Sequence, residues 1–199
     1  MALDAPLKPP VVCTEDRPLI VQALKIAGRD AWVCDHAVPV ELRQPAYDDL
    51  SGRSFTFTNQ DSDATEFVSH LIHQGDLVDS GDAVIDPLVG IARAVCRSVG
   101  HEALPIERVY VTTALFGDFQ HVHQDGHVWT VLFFANARWH TDWGGELLLY
   151  QDEDATIATA VAPRPGRVVI FDGMLKHRAG VPSKYCPEPR IILAVKFLR

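Results

Sequence analysis

The sequence predicts an α+β, mainly β domain in which helices of the first half support a β-sandwich built from the second. Two observations carry that expectation. Apolar residues recur at helical spacing before about residue 108, whereas from Val109 short apolar runs alternate with Gly, Asp and Pro in the manner of strands and turns. With 47% apolar residues over a length of 199, the chain holds enough hydrophobic side chain for a substantial core in a single domain.

Taken in order, the first residues, with Pro6, Pro9 and Pro10, read as a flexible tail over 1–16 ahead of one domain over 17–199. That domain divides into a helical support, about 17–108, and a β core, about 109–199. A helix is expected from Arg17 to Ala27, closed by Gly28. Ala31 to His36 suits a strand, and Pro39 to Leu50 a helix that begins at its proline. Ala64 to Gln74 places Phe67, Leu71 and Ile72 on one helical face, and Pro87 to Val99 does the same with Leu88, Ile91, Val95 and Val99. Val128 to Phe134 is almost continuously apolar, as expected of a strand covered on both faces. There is no internal repeat or low-complexity tract.

Charge and cysteine usage exclude several classes. A formal charge of −8 without a Lys/Arg cluster argues against a nucleic-acid partner. Cys13, Cys34, Cys96 and Cys186 are scattered and form no Cys-x-x-Cys pair, so neither a zinc site nor a disulfide framework is indicated. The N-terminus lacks the apolar region of a signal peptide, and no stretch reaches the ~20 apolar residues of a membrane span. A soluble, cytoplasmic protein with no membrane partner is the expectation.

The chemistry concentrates in His123-Gln124-Asp125 and the distant His177. On extended backbone side chains alternate faces, so His123 and Asp125 point the same way and can share one metal, with His177 as third ligand. Two imidazoles and one carboxylate on one face of an octahedron leave positions open, which suits a non-haem ferrous centre better than a closed zinc site. A His-x-Asp tripeptide alone is common in a chain with nine histidines. Its weight comes from an ordered series of downstream motifs: Gly144-Gly-Glu-Leu, then Pro165-Gly-Arg-Val-Val-Ile-Phe-Asp172, then His177, then Arg190-Ile-Ile-Leu-Ala-Val-Lys-Phe197. A centre of this kind keeps net positive charge and attracts an anionic chelator such as a 2-oxo acid.

With that ordered set, the region from about Val109 onward resembles the prolyl 4-hydroxylase-like branch of the iron(II)- and 2-oxoglutarate-dependent dioxygenases. The resemblance implies a double-stranded β-helix (jelly roll) core. It also implies Fe(II), 2-oxoglutarate and O2 as cofactor and co-substrates, with ascorbate as an accessory reductant. The metal ligands would be His123, Asp125 and His177, the 2-oxoglutarate anchor Arg190, and the pocket wall Thr130, Leu132 and Phe134. The chain departs from the usual pattern of the branch in two places: the interval from His177 to Arg190 is long, and Thr113 and Phe134 stand where several relatives carry tyrosine. Related halogenases replace the carboxylate by a small residue, so Asp125 favours hydroxylation. The implied reaction is hydroxylation of an unactivated C–H bond of a small molecule or amino acid, proline-like among them, with oxidative decarboxylation of 2-oxoglutarate to succinate and CO2. No general acid or base is named beyond the metal centre. Hydroxylation of a peptidyl proline or other protein residue is one alternative, and a cupin-like metal protein that does not use 2-oxoglutarate is another.

Alternation along the last strand sharpens two residues. Arg190, Ile192, Ala194 and Lys196 share one face, and Ile191, Leu193, Val195 and Phe197 the other. If the second face packs the core, Arg190 lines the lumen and its planar fork suits a carboxylate; Lys184, closer to His177, is the runner-up anchor. Lys196 then also points inward, available to an anionic substrate group. Trp139, His140 and Trp143 precede Gly144-Gly145, where relatives place a loop beside the active-site mouth, which marks Trp143 and His140 as candidate substrate contacts.

Overall fold

The computed structural model describes residues 19–60, 69–74, 77–102, 104–151 and 156–199. Among them, eleven strands and two α-helices form an all-antiparallel sandwich with a helical layer on its back. In chain order these are β1 (Ile20–Ile26), β2 (Arg29–Asp35), α1 (Val40–Ser51), β3 (Thr56–Gln60), β4 (Ser69–Gln74), α2 (Ile85–Ser98) and β5 (Ile106–Ala114), followed by β6 (Val128–Phe134), β7 (Leu147–Tyr150), β8 (Ile157–Val161), β9 (Val168–Asp172), β10 (His177–Ala179) and β11 (Arg190–Leu198). The larger sheet runs β1-β2-β9-β6-β11-β5-β4-β3 and the smaller β10-β7-β8.

The central strands of the large sheet are apolar on both faces because each face meets a different layer. Outward, Trp129, Val131 and Phe133 of β6, Val168 and Ile170 of β9, and Ile191, Leu193, Val195 and Phe197 of β11 pack with Leu50 of α1 and Leu88, Val89 and Val95 of α2. Inward, Phe134, Val169, Phe171 and Ile192 meet Leu147 and Leu149 of the small sheet. Strict period-two alternation therefore sorts one set of residues to the helices and the other to the space between sheets. The expected strands over Ala31–His36, Val128–Phe134 and Arg190–Phe197 and the helices at Pro39 and Pro87 form at these places, Pro39 standing as the residue that opens α1. Asp82 Oδ1 caps α2 by accepting from the amides of Val84 and Ile85 at 3.0 and 2.9 Å.

Two expected helices are strands instead. The segment ending at Ala27 is β1: Val21, Leu24 and Ile26 fit helical spacing almost as well as strand spacing. Antiparallel pairing with β2 decides between them, closed by a two-residue turn with φ of 49° at Ala27 and 74° at Gly28. Within the expected helix Ala64–Gln74, Ser69–Gln74 form β4, which hydrogen-bonds β5 and buries Ile72 completely; the rest of that stretch lies outside the described residues, as does the tail over 1–16. The first half is thus not a helical support alone, since it contributes four strands to the large sheet.

One ion pair ties β2 to the start of β9. Arg167, at the start of β9, is buried and grips Asp35 at the end of β2 through Nε–Oδ1 at 2.6 Å and Nη2–Oδ2 at 2.9 Å. That fork lowers the Asp35 carboxyl below its ordinary value against the opposing effect of burial. A carboxylate whose folded pKa is depressed contributes stability above its unfolded value and loses it as pH falls through the folded one. Asp35→Asn should therefore lower unfolding stability in urea at pH 7 by about 2 kcal/mol. The gap from the parent should close as pH drops below about 4, and a pH-independent gap would contradict this assignment.

Candidate metal centre and co-substrate pocket

His123 and His177 are brought together by a reciprocal backbone bridge: each amide donates to the other's carbonyl at 3.0 Å. Beside it, the Asp125 amide donates to Gly173 O at 2.7 Å, and the Gly173 amide to Val128 O at 2.8 Å. The segment carrying the His-x-Asp motif, which joins no regular strand beyond this bridge, is thereby pinned to the end of β9 and the start of β10. Gly173 permits the approach: a Cβ there would lie 2.7 Å from Gly126 O and 2.9 Å from Val128 O.

The side chains converge as a consequence. His123 Nε2 lies 3.7 Å from Asp125 Oδ1 and His177 Nε2 3.4 Å from Asp125 Oδ2, with the imidazole centroids 4.4 Å apart. One ligand atom from each residue falls within 4.8 Å of the other two. Both rings are oriented from behind, His123 Nδ1 at 2.9 Å from His121 O and His177 Nδ1 at 2.8 Å from Leu175 O. A carbonyl only accepts, so Nδ1 donates to it in each ring and Nε2 is the atom turned toward Asp125, with a lone pair for a metal once it carries no proton. Two lone pairs and a carboxylate aimed at one point fit a divalent cation. Burial disfavours the charged carboxyl of Asp125, but His177 and Lys196 outweigh it and hold the group well below the usual range.

These residues sit at one end of a cavity of about 440 Å³. The inner face of β11 lines it with Arg190, Ile192, Ala194 and Lys196, as the alternation predicts, and Leu132 and Phe134 of β6 and Leu147 of β7 add apolar wall. Arg190 is only 5% exposed. Its Nη1 donates to Gly145 O at 2.8 Å and more weakly to Gly180 O at 3.4 Å, while its buried Nε has no hydrogen-bond partner among the described residues. Burial pushes the guanidinium down to about 10, so it remains charged at neutral pH. A buried cation with an unspent donor beside an open cavity is suited to an anion. Gly145 is required behind it, having φ of 76° and leaving only 3.2 Å from a Cβ to the Arg190 Cδ.

Several sequence expectations shift in detail. Thr130 is fully buried and not on the cavity wall; its hydroxyl donates to Asp125 Oδ2 at 2.6 Å. Lys196 faces the cavity, but its ammonium is spent on Asp125 and on Thr130 Oγ1, the latter at 3.1 Å. Burial works against that charge, and Tyr110 and Asp125 more than compensate, raising it above the ordinary lysine value. Trp143 and His140 do not reach the wall. They belong to the turn before β7, where His140 is exposed and Trp139 packs over Gly145 and donates to Gly144 O at 3.0 Å, buttressing the Arg190 environment. Lys184 is exposed, its ammonium 5.2 Å from the Tyr185 ring centroid. Thr113 pairs with Ile191 and is not on the wall; Tyr110 and Thr112, opposite Ala194 and Ile192, are. A bulge between β5 and β11 at Glu107 brings both Glu107 and Arg108 to the cavity, where strict alternation allows one. These β5 residues were missed because their place follows from pairing with a strand remote in sequence; Tyr110 and Thr112 share the parity that marks the inner face.

Residues 109–197 match the family model of the 2OG-Fe(II) oxygenase superfamily. This segment belongs to that superfamily. The matched segment, which carries His123, Asp125 and His177, is accordingly that of an oxygenase of the class that uses Fe(II), 2-oxoglutarate and O2. None of the curated proteins matches the sequence. Among solved structures, a Pseudomonas putida prolyl-4-hydroxylase is similar at 20% identity with a TM-score of 0.61, covering 85% of this chain and 92% of that one. A Trichoplax adhaerens prolyl hydroxylase, solved with a peptide fragment of the hypoxia inducible factor oxygen degradation domain, gives 17%, 0.63, 84% and 83%. The 2-oxoglutarate-dependent epimerase SnoN of nogalamycin biosynthesis gives 12%, 0.61, 84% and 78%. At these identities the likeness is one of fold, shared by prolyl hydroxylases and an epimerase. No helix among the described residues is long and apolar enough to cross a membrane.

Gly173→Ala is expected to force the Asp125 segment away from β9 and to lower affinity for Mn(II) by about 10-fold or more, read by calorimetry. An unchanged affinity would mean that the close backbone approach does not position the carboxylate.

Proposed function

We propose that His123, Asp125 and His177 bind Fe(II), that Arg190 binds the distal carboxylate of 2-oxoglutarate, and that the protein hydroxylates an unactivated C–H bond of a small molecule or free amino acid. The observation that carries this reading is the buried Arg190, with its Nε unpartnered among the described residues, in the same cavity as the His/Asp/His set. A cupin-like metal protein has no need of such a group. Bound iron with 2-oxoglutarate and O2 supplies a two-electron oxidation of a C–H bond, 2-oxoglutarate leaving as succinate and CO2. The protein's own part is positional. The Nδ1 contacts orient both imidazoles, and Arg190 holds the far end of the co-substrate between the apolar walls of Leu132 and Phe134. These walls keep water from the chelate.

The cavity supports the small-substrate reading, since a co-substrate the size of 2-oxoglutarate and one further small molecule suit about 440 Å³. Hydroxylation of a peptidyl proline is the second reading, supported by the likeness to the Trichoplax adhaerens enzyme that was solved with a peptide.

The test is an anaerobic titration of metal-free protein with Fe(II) and 2-oxoglutarate, following the visible charge-transfer absorption of the chelate. The parent should develop the band. Arg190→Ala should weaken 2-oxoglutarate binding about 100-fold, the loss of one partner of a buried charged pair, and Asp125→Ala should abolish turnover. Iron binding without a band would instead support the cupin-like reading. Succinate release stimulated by free amino acids but not by prolyl peptides would separate the two substrate classes.

A further inference from the structure

Lys196 is the buried cation in the cavity that the proposed chemistry leaves unused. Its ammonium meets Asp125 Oδ2 and lies 3.1 Å from Thr130 Oγ1, which in turn lies 2.6 Å from the same Oδ2. The direction of each hydrogen bond in this triangle is fixed by chemistry. An ammonium has donors only, so Thr130 Oγ1 accepts from Lys196 and its one proton goes to Asp125. Oδ2 therefore receives two donors, one of them charged, and a carboxylate oxygen has two lone pairs. Oδ1 faces His123 Nε2 at 3.7 Å and is not part of the triangle, whereas Oδ2 lies 3.4 Å from His177 Nε2 as well as within it.

Resting on the metal reading of the His/Asp/His set, we propose that Lys196 is a positioning residue that, with Thr130, saturates Asp125 Oδ2 so that the carboxylate offers the metal a single oxygen. The consequence lies in coordination number. Three protein ligand atoms leave three of six octahedral positions; a chelating 2-oxo acid fills two and leaves one for O2. A carboxylate binding through both oxygens would take one of those three and set the protein against its own co-substrate. The site is built to prevent this. Thr130 is fully buried and Lys196 nearly so, Lys196 cannot swing out without leaving the Asp125 charge unpaired in the core, and both are carried on paired central strands, β6 and β11, in register at Thr130 and Lys196. The same geometry explains how a lysine is tolerated beside a cation site: its charge is matched by the carboxylate it orients.

The test compares parent, Lys196→Met and Thr130→Val, with folding checked by circular dichroism, using Co(II) as an air-stable probe and 2-oxoglutarate added afterwards. Thr130→Val keeps shape and charge while deleting one donor to Asp125 and one acceptor from Lys196, and Thr130 does not reach the cavity wall, so any effect on the co-substrate passes through Asp125 or Lys196 and not through contact with Thr130. Both variants should bind Co(II) at least as tightly as the parent, Lys196→Met about 10-fold more tightly because a nearby positive charge is gone. Their Co(II) visible spectra should report an added oxygen ligand, and 2-oxoglutarate affinity of the loaded proteins should fall about 10-fold or more. Weakened Co(II) binding with an unchanged spectrum would overturn the proposal and make Lys196 a structural cation. A 2-oxoglutarate defect in Lys196→Met alone, with Thr130→Val silent, would overturn it in favour of direct contact with the co-substrate. Should the parent bind Co(II) but no 2-oxoglutarate, the proposed oxygenase function fails, and the Co(II) affinities and spectra alone decide the role of Lys196.

Discussion

The reciprocal backbone bridge between His123 and His177 is the constraint on which the candidate site depends. The first residue belongs to a segment without regular strand structure and the second opens β10, and two 3.0 Å hydrogen bonds hold them side by side. Once the backbones are so placed, the two Nδ1 contacts turn both rings to the same point, and the Asp125–Gly173 bond delivers the carboxylate to it. The site is therefore a product of backbone hydrogen bonding at the rim of the sandwich. Only the wall of the cavity is a product of side-chain packing.

The electrostatics of the cavity are arranged in two layers. Near the metal point, Asp125 and Lys196 neutralise each other and Thr130 closes the network, so this end is satisfied by the protein itself. At the other end Arg190 is held by carbonyls that orient it without neutralising it. Glu146 and Asp118 offset part of its charge, and a dianionic co-substrate finds the unspent donor of a buried cation at this end, which sets the direction in which such a ligand would lie. The apolar residues between, Leu132, Phe134 and Ile192, offer no competing polar contact.

Much of this was legible in the sequence because β11 and β6 are long, paired on both sides and strictly alternating. Parity alone sorted Arg190 and Lys196 from Ile191 and Val195, and it sorted Leu132 and Phe134 from Phe133. The reading failed where alternation was not the deciding signal. Segment 20–26 has apolar spacing that suits either period, and only its hairpin partner makes it a strand; Ser69–Gln74 became β4 because the edge of β5 offered hydrogen bonds to it. Tyr110 and Thr112 were missed for a related reason, since β5 joins β11 across most of the β core and no local pattern announces the pairing. Trp143 and His140 drew attention as aromatics beside a glycine pair, yet that turn acts through Gly145, shaping the backbone around Arg190.

The central claim is that one cavity holds both a three-residue metal centre and, at its opposite end, the anchor for a 2-oxo acid. The most direct measurement is a crystal structure of the protein with Mn(II) and 2-oxoglutarate, prepared without oxygen. The account predicts Mn(II) on His123, Asp125 and His177, with the distal carboxylate of 2-oxoglutarate on Arg190. Metal held by other histidines, or the distal carboxylate on Lys196 or Arg108 with Arg190 untouched, would contradict it.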